Sequence, residues 1–350
     1  MLDRGDMVSD NHSDHAGTIR DNSMDLLRLL SCFAIVLIHV NAQYFIPRSV
    51  VPSLASVYII ESLINIITRF SVPAFVMISG AFVLGNRQNA NAQQFYIKTL
   101  RKIYLPLLPP VVFFIADDKL SKGIGLSWIF KMLLNGTYYN LWFMFMILFL
   151  YALVPVCVRL KTILPKKWWG RLGFAILAWA IVSQATSTYE LSYDIGVIAS
   201  YLGYFITGNF LYENHRRLRL PSTPVCLLMI ATLIATTFLV RYLGFSYYLF
   251  DQYKSFFSPT ILAISLLVFI VFCRLQVQIN LRGAAFLTYY VYVFHTIVYS
   301  SLIQILGDAQ HELRTIALIS LLTIVVSFAI SLIYSALWHL LFKRPAQRTR

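Results

Sequence analysis

Long apolar segments recur along the whole chain and are separated by short polar stretches. A helix of about 17–25 apolar residues is long enough to cross the hydrocarbon core of a bilayer. The pattern predicts an all-α, polytopic membrane helix bundle of about ten transmembrane helices. The predicted spans are residues 26–46, 70–85, 103–117, 140–160, 172–187, 196–212, 223–243, 255–274, 284–306 and 315–342.

The stretch 53–69 is also apolar, but it carries Glu61, Asn65, Thr68 and Arg69. Ionisable and polar residues are costly inside hydrocarbon. We therefore predict that this stretch forms an outer-face helix leading into the second span, with part of a span as the alternative. The choice matters because one extra crossing would invert the orientation of every later helix.

Composition agrees with a membrane protein. The 350 residues are 58% hydrophobic and only 13% charged, whereas a soluble domain carries about 25% charged residues. The formal net charge of +14 is also typical of proteins that bind nucleic acid. Most lysines and arginines, however, lie in short clusters between apolar segments, as in the cytoplasmic loops of membrane proteins. We therefore expect no nucleic-acid partner, and we place both termini in the cytoplasm.

Three regions follow from this pattern. Residues 1–23 are polar and lack helical periodicity, which predicts a disordered cytoplasmic tail. Residues 24–343 form the transmembrane domain, and residues 344–350 form a basic cytoplasmic tail. We expect no cleavable signal peptide, because the first apolar segment is long and lacks a small-residue cleavage site.

The four cysteines lie within or at the ends of apolar segments, without CxxC or His-rich spacing. We expect them to be small core residues and expect no metal site. They are Cys32, Cys157, Cys226 and Cys273.

Two ionisable residues share one face of the first span. Arg28 and His39 are eleven residues apart, which is about three helical turns and roughly 16 Å along the axis. Our hypothesis is that His39 acts as a general base or a transient acyl acceptor, and that Arg28 meets an anion from the cytoplasm. Alternatively, His39 is a packing residue and Arg28 a membrane anchor that pairs with Asp25.

Further motifs follow in order: RFSVPAFVMISG at 69–80, FYIKTLRKIYLP at 95–106, LWF at 141–143 and YVFH at 292–295. With the Arg-x10-His pattern of the first span, they resemble the acyltransferase 3 family of membrane-bound acyltransferases. The segment 95–106 resembles the basic loop before that family's third helix. The overall pattern is most similar to the O-acetyltransferase type that modifies enterobacterial common antigen.

The resemblance implies a site and a reaction. It implies that His39 is catalytic and that Arg28 helps to position the acyl donor. The donor would be cytoplasmic acetyl-CoA, and the acceptor a hydroxyl of an envelope glycan or lipid-linked saccharide at the outer face of a bacterial inner membrane. Lysine and arginine suit phosphate, so the basic residues of 95–106 are candidates for binding coenzyme A, with ordinary positive-inside topology as the alternative. They are Lys98, Arg101 and Lys102.

Six residues are candidates for substrate binding, each with a structural alternative. Ser79, beside Gly80, is equally suited to close helix packing, and Trp142 to an interfacial belt. His295 is expected to contact His39 across the bundle, or else to be structural. Glu61 and Arg69 lie where an outer acceptor would approach, with an ion pair as the alternative. Asn140 stands where relatives often have His, and an amide retains only a hydrogen-bonding role.

Two other function classes fit the same pattern. A transporter or flippase for a glycolipid or an organic acid also places ionisable residues inside a helix bundle, although no repeated halves are visible. A scaffold for envelope-polymer assembly is the third possibility. The expected partners are the saccharide acceptor and membrane lipid, and the sequence does not indicate an oligomeric state.

Overall fold

The computed structural model describes residues 21–44, 55–120, 123–125, 127–128, 142–186, 195–242, 256–306 and 313–342. Within these residues the regular structure is helical, without strands. The α-helices are α1 (Asn22–Tyr44), α2 (Ala55–Thr68), α3 (Ser71–Val83), α4 (Ala92–Thr99), α5 (Leu105–Leu120), α6 (Trp142–Ile163), α7 (Lys166–Thr186), α8 (Ile195–Asn214), α9 (Thr223–Tyr242), α10 (Pro259–Arg274), α11 (Arg282–Leu306) and α12 (Leu313–Phe342). A 3₁₀ turn (Arg87–Ala90) precedes α4, and a π-helical turn (Leu100–Tyr104) joins α4 to α5.

Each of the ten predicted spans overlaps one of these helices. Among the described residues, seven helical stretches are long and apolar enough to cross a membrane. They are Asn22–Ala42, Ile59–Val83, Ala92–Ala116, Trp142–Ile163, Thr223–Val240, Arg282–Leu306 and Arg314–Phe342, and the apolar α10 is shorter. The chain is therefore an all-α protein with several membrane-spanning helices, while the count of ten and the cytoplasmic termini stay predictions.

The predicted outer-face helix at 53–69 corresponds to α2, and its position outside the bilayer stays a prediction. Only a two-residue turn separates α2 from α3, and Ile59–Val83 forms one stretch long and apolar enough to span the bilayer. The polar residues that argued against a crossing share one helix face, and that face is buried: Glu61, Asn65 and Thr68. Apolar Ile60 and Ile67 are exposed instead. Polar residues are tolerated in a span when they face the protein interior.

The basic segment before the third span is a helix and not a loop. Lys98 lies in α4, and Arg101 and Lys102 lie in the π-helical turn that continues into α5. Residues Ala92–Ala116 form one apolar stretch of spanning length. The basic side chains therefore project from a helix at the end of a span.

Helix α1 lies at the centre of the bundle and packs against α2, α3, α10, α11 and α12. On one side, Leu27 and Ile35 join the main core cluster, which includes residues of α3 and α8. On the other side, Cys32, Val36 and Val40 pack with residues of α11 and α12. Because both sides of α1 are covered by protein, its ionisable residues lie in the protein interior.

The four cysteines are buried and free. Each lies in a membrane-type helix, and the main core contains Cys157, Cys226 and Cys273. The prediction that they are small core residues is confirmed.

Glycine sets how closely α3 and α8 approach each other. A Cβ atom added at Gly80 would overlap the backbone carbonyl of Phe205, and one added at Gly208 would overlap the backbone of Met77. Small residues allow such close contact, which is a main source of helix association in membranes. The packing alternative for the Ser79-Gly80 pair is therefore correct for Gly80.

We predict that Gly80→Ala destabilises the protein by about 1–3 kcal/mol, the usual cost of overpacking a close contact. Thermal unfolding in detergent measures the effect. Gly283 of α11 is the matched control, because a Cβ atom there meets nothing within 4 Å and alanine favours the helix. Equal stability of Gly80→Ala and Gly283→Ala would contradict the proposed contact.

Candidate active site

The predicted site begins on α1, where Arg28 and His39 project from nearly the same face. Both side chains are partly buried; His39 contacts a ring on another helix, and Arg28 lies within electrostatic range of Tyr151 of α6. Neighbouring positions of this face, such as Ile35, belong to the main core. The helical stripe that carries the predicted chemistry therefore points into the bundle.

At one end of this face, His39 lies beside His295 of α11. The centroids of the two imidazole rings are 5.0 Å apart, with a 45° angle between the ring planes. The contact across the bundle that the sequence led us to expect is present. His295 is fully buried, at 0% exposure, and its Nδ1 lies 2.7 Å from the backbone carbonyl oxygen of Tyr292.

Aromatic rings continue from the histidine pair toward α3 and α6. Tyr292 lies 5.5 Å from His295 and 5.3 Å from Phe143, between ring centroids. Phe143 in turn lies 6.1 Å from Phe75 of α3. These rings form an apolar wall on one side of the histidines.

Arg69 reaches the same region from the turn between α2 and α3. Its Nε donates a hydrogen bond of 3.0 Å to Oδ1 of Asn65, one turn earlier. Its guanidinium carbon lies 5.4 Å from the ring centroid of Phe256, a cation–π contact. Arg69 is also close enough to His39 for their charges to interact. The side chain is thus oriented from two directions, with its charge near the imidazole.

Glu61 lies in the interface between α1 and α2. It is 2% exposed, and its backbone carbonyl accepts a hydrogen bond of 3.1 Å from Nδ2 of Asn41, two residues after His39. The structure therefore places Glu61 inside the bundle, near the histidine end of α1. A buried carboxylate needs hydrogen-bonding or charged partners, so this end of the bundle is polar.

Trp142 begins α6 and lies among other aromatic residues. Its ring centroid is 6.1 Å from those of Phe143, Tyr201 and Phe256. We call Trp142, Tyr201, Phe256 and Phe257 the Trp142 cluster; Tyr201 and Phe257 lie 4.8 Å apart. Since Phe256 also contacts Arg69, the cluster adjoins the histidine end of the site. The predicted neighbour Asn140 lies outside the described residues.

At the other end of the α1 face, Arg28 is 25% exposed and pairs with Asp25 at 3.1 Å. It is within electrostatic range of Tyr151 of α6, and Ser79 is within hydrogen-bonding reach of the same tyrosine. The pairing with Asp25 that formed the alternative for Arg28 is present.

The basic helix joins the site at the Arg28 end. The side chains of Lys98, Arg101 and Lys102 are exposed. Phe95 on the same helix is buried and lies 5.9 Å from the ring of Tyr151, and the hydroxyl of Tyr96 donates to the carbonyl of Ala152 at 2.7 Å. The three cations are thus attached to the part of α6 that faces Arg28.

Two tyrosines from distant helices hold the junction between the basic helix and α5. The hydroxyl of Tyr289 donates to the carbonyl of Ile103 at 2.6 Å. The hydroxyl of Tyr334 donates to the carbonyl of Pro106 at 2.7 Å. Pro110 has no N–H, so it leaves the carbonyl of Pro106 without its helical donor. Tyr334 supplies that missing donor.

The sequence missed several residues that adjoin the predicted ones. Asn65 had a visible signal, since it stands four residues before Arg69 on one helix face. Tyr151 and Phe256 had none, because only tertiary packing brings them to Arg28 and Arg69. Within the described residues, no group of three or more His, Cys, Asp or Glu side chains is arranged to hold a metal ion.

Comparison with known proteins identifies the class. The model of the acyltransferase 3 family, described as an acyltransferase domain, matches residues 21–335. This match covers most of the chain, so the chain belongs to the acyltransferase 3 family and is a membrane acyltransferase. Searches of curated proteins and of solved structures give no match.

We predict that Tyr334→Phe destabilises the protein by about 1–2 kcal/mol, because a buried carbonyl loses its donor while the ring contacts remain. In a Pro110→Ala background the loss should be much smaller, since the restored N–H of residue 110 donates to the Pro106 carbonyl. A double-mutant cycle of thermal unfolding in detergent measures the difference. An equal loss in both backgrounds would show that Tyr334 does not replace the helical donor.

Proposed function

We propose that this membrane acyltransferase transfers the acetyl group of cytoplasmic acetyl-CoA to a hydroxyl of an envelope glycan or lipid-linked saccharide. The observation that carries the proposal is the single interior face of α1. Its Arg28 end adjoins a helix with three exposed cations, and its His39 end adjoins His295, Arg69 and the Trp142 cluster. One face thus joins a region suited to an anionic donor with a region suited to a polar acceptor.

The donor carries phosphates and a thioester. Lys98, Arg101 and Lys102 suit phosphate groups, because lysine and arginine form charge-assisted hydrogen bonds with them. Arg28, closer to the interior, would hold the part of the donor that leads to the thioester. We orient this end toward the cytoplasm, in a bacterial inner membrane, because the lysine and arginine clusters follow the positive-inside pattern.

The acceptor is placed at the opposite end. Trp142 and Phe256 offer flat apolar surfaces of the kind that sugar rings stack on, and Arg69 and Glu61 offer polar groups that suit sugar hydroxyls. Ser79, deeper in the bundle beside Tyr151, would contact the donor arm rather than the acceptor. An acceptor such as enterobacterial common antigen agrees with the resemblance of the sequence pattern to the O-acetyltransferase type that modifies this glycan.

The reaction breaks the C–S bond of the thioester and forms a C–O ester bond. As general base, His39 takes the proton of the attacking hydroxyl and delivers it to the departing thiolate sulfur, so that no net proton is consumed. As nucleophile, His39 first attacks the thioester carbonyl and forms an acyl-imidazole, and the departing thiolate takes up the imidazole proton. The acceptor hydroxyl then attacks the acyl-imidazole, and its proton returns to the imidazole as the ester forms. Arg69 is close enough to stabilise negative charge on the oxygen atom of the tetrahedral intermediate.

We predict that His39→Ala lowers kcat for acyl transfer by about 100- to 10,000-fold, the contribution of a positioned base. The assay is release of free coenzyme A thiol by purified protein in detergent, with acetyl-CoA and a saccharide acceptor. His339→Ala is the matched control, since His339 is an exposed histidine near the end of α12. Normal turnover of His39→Ala would exclude the proposed site.

We predict that Arg28→Ala raises KM for acetyl-CoA by about 10- to 100-fold, corresponding to the loss of a hydrogen bond to a charged group. KM for the acceptor should change little. Arg171→Ala is the control, because Arg171 lies on the same proposed membrane side, exposed and stacked on Trp168. A donor KM equal in both variants would remove Arg28 from the donor site.

Mass spectrometry of envelope glycans from cells with and without the gene identifies the acceptor and the acyl group. A missing mass of one acetyl group per saccharide repeat supports the proposal. In the purified system, acceptor-dependent cleavage of the thioester marks an enzyme. Movement of a saccharide across the membrane without cleavage would instead mark a transporter.

A further inference from the structure

His295 is enclosed by protein and touches the predicted catalytic residue. It lies in the middle of α11, is fully buried, and has its ring centroid 5.0 Å from that of His39. Tyr292 and Tyr299, one turn to either side on α11, place their rings 5.5 and 6.3 Å from it. The imidazole therefore has little freedom to turn.

The backbone determines which nitrogen atom of His295 carries the proton. Nδ1 lies 2.7 Å from the carbonyl oxygen of Tyr292, and a carbonyl oxygen only accepts hydrogen bonds. Nδ1 must therefore donate, and in the neutral ring Nε2 then offers a lone pair. The hydroxyl of Thr296 lies at a long 3.5 Å from Nε2.

The distance between the two rings suits a hydrogen bond between them. Each ring nitrogen is about 1 Å from its ring centre, and a hydrogen bond joins heavy atoms at about 3 Å. Two imidazoles joined by N–H···N therefore have ring centres about 5 Å apart, as His39 and His295 do. This spacing allows an N–H of His39 to point at Nε2 of His295.

We propose that His295 is a positioning residue for His39, an inference that rests on the proposed function. Nε2 of His295 accepts a hydrogen bond from one ring nitrogen of His39, so the other nitrogen of His39 presents its lone pair to the reacting group. The arrangement follows the general logic of an oriented base, in which a third group holds the base in one tautomer. Here a neutral imidazole takes the orienting role that a carboxylate has in many enzymes.

Proton transfer balances without any change at His295. The hydroxyl proton passes to His39 and from there to the thiolate sulfur, while His295 keeps its own proton on Nδ1. The brief positive charge on His39 is stabilised by the lone pair of Nε2. Because His295 is neutral throughout, the pair adds no permanent charge to the membrane interior, where charge is costly.

Three substitutions test this role. Glutamine places an amide oxygen near the position of Nε2, asparagine keeps a polar group only near Nδ1, and phenylalanine keeps the shape alone. We predict that His295→Asn and His295→Phe lower kcat by about 10- to 100-fold, a typical loss for a supporting hydrogen bond. His295→Gln should retain several-fold more activity than either, and KM for acetyl-CoA should stay within about twofold in all three.

Thermal unfolding of the three variants separates positioning from packing. Activity that follows the presence of an acceptor near Nε2 supports the proposal, whereas activity that follows only the melting temperature overturns it. Wild-type turnover by His295→Phe also overturns it and leaves the proposed function intact. Absence of acyl transfer by the wild type would instead refute the proposed function.

A second measurement does not depend on turnover or on a variant that folds poorly. Nitrogen-15 NMR of histidine-labelled wild-type protein in detergent reports the tautomer of each imidazole. A His295 signal with the proton on Nδ1 and an acceptor shift at Nε2 supports the proposal. A proton on Nε2 of neutral His295 would overturn it, since that nitrogen would have no lone pair for His39.

Discussion

The cost of placing ionisable side chains in hydrocarbon governs this structure. Arg28 and His39 are tolerated in a membrane helix only if protein surrounds their shared face. Helix α1 therefore lies at the centre, with α3 and α8 in the core cluster on one side and with α11 and α12 on the other. The same constraint explains why α2 turns its polar residues inward and exposes Ile60 and Ile67. The inward orientation of Arg28 and His39, which suggests catalysis, is therefore also what the packing of the first helix in a membrane requires.

Two local features convert that packing into a site. Glycines at the α3–α8 crossing bring the backbones of Met77 and Phe205 against neighbouring helices, so α3 lies close to the core. The short turn before α3 then places Arg69 near His39 while Asn65 and Phe256 orient its guanidinium. At the other end, the π-helical turn and the two tyrosine hydroxyls attach the basic helix beside α6. The two ends of the α1 face are therefore built from different helices and need α1 to connect them.

The sequence predicted the positions of the helices, because the apolar runs are long and the thickness of the bilayer sets their length. It also predicted the shared face of Arg28 and His39, since helical periodicity alone determines that relation. At 53–69 the sequence left open the choice between an outer-face helix and part of a span, because counting polar residues does not tell which helix face they occupy. Tyr151, Phe256 and the Tyr334–Pro106 bond left no sequence signal, because contacts between residues that are distant in the chain depend on how helices pack. The contact of His39 with His295 was expected from the sequence, and the structure shows that it is present.

The histidine pair shows how a membrane interior changes the choice of catalytic support. A carboxylate in the place of His295 would add a negative charge next to His39 that requires compensation. A neutral imidazole adds no such charge, because the carbonyl of Tyr292 sets its tautomer without any charge. In the proposed mechanism, Arg69 acts on negative charge that develops on the substrate. Under the proposed mechanism, positioning of the base falls to His295 of α11, and stabilisation of the oxyanion falls to Arg69 of the turn between α2 and α3.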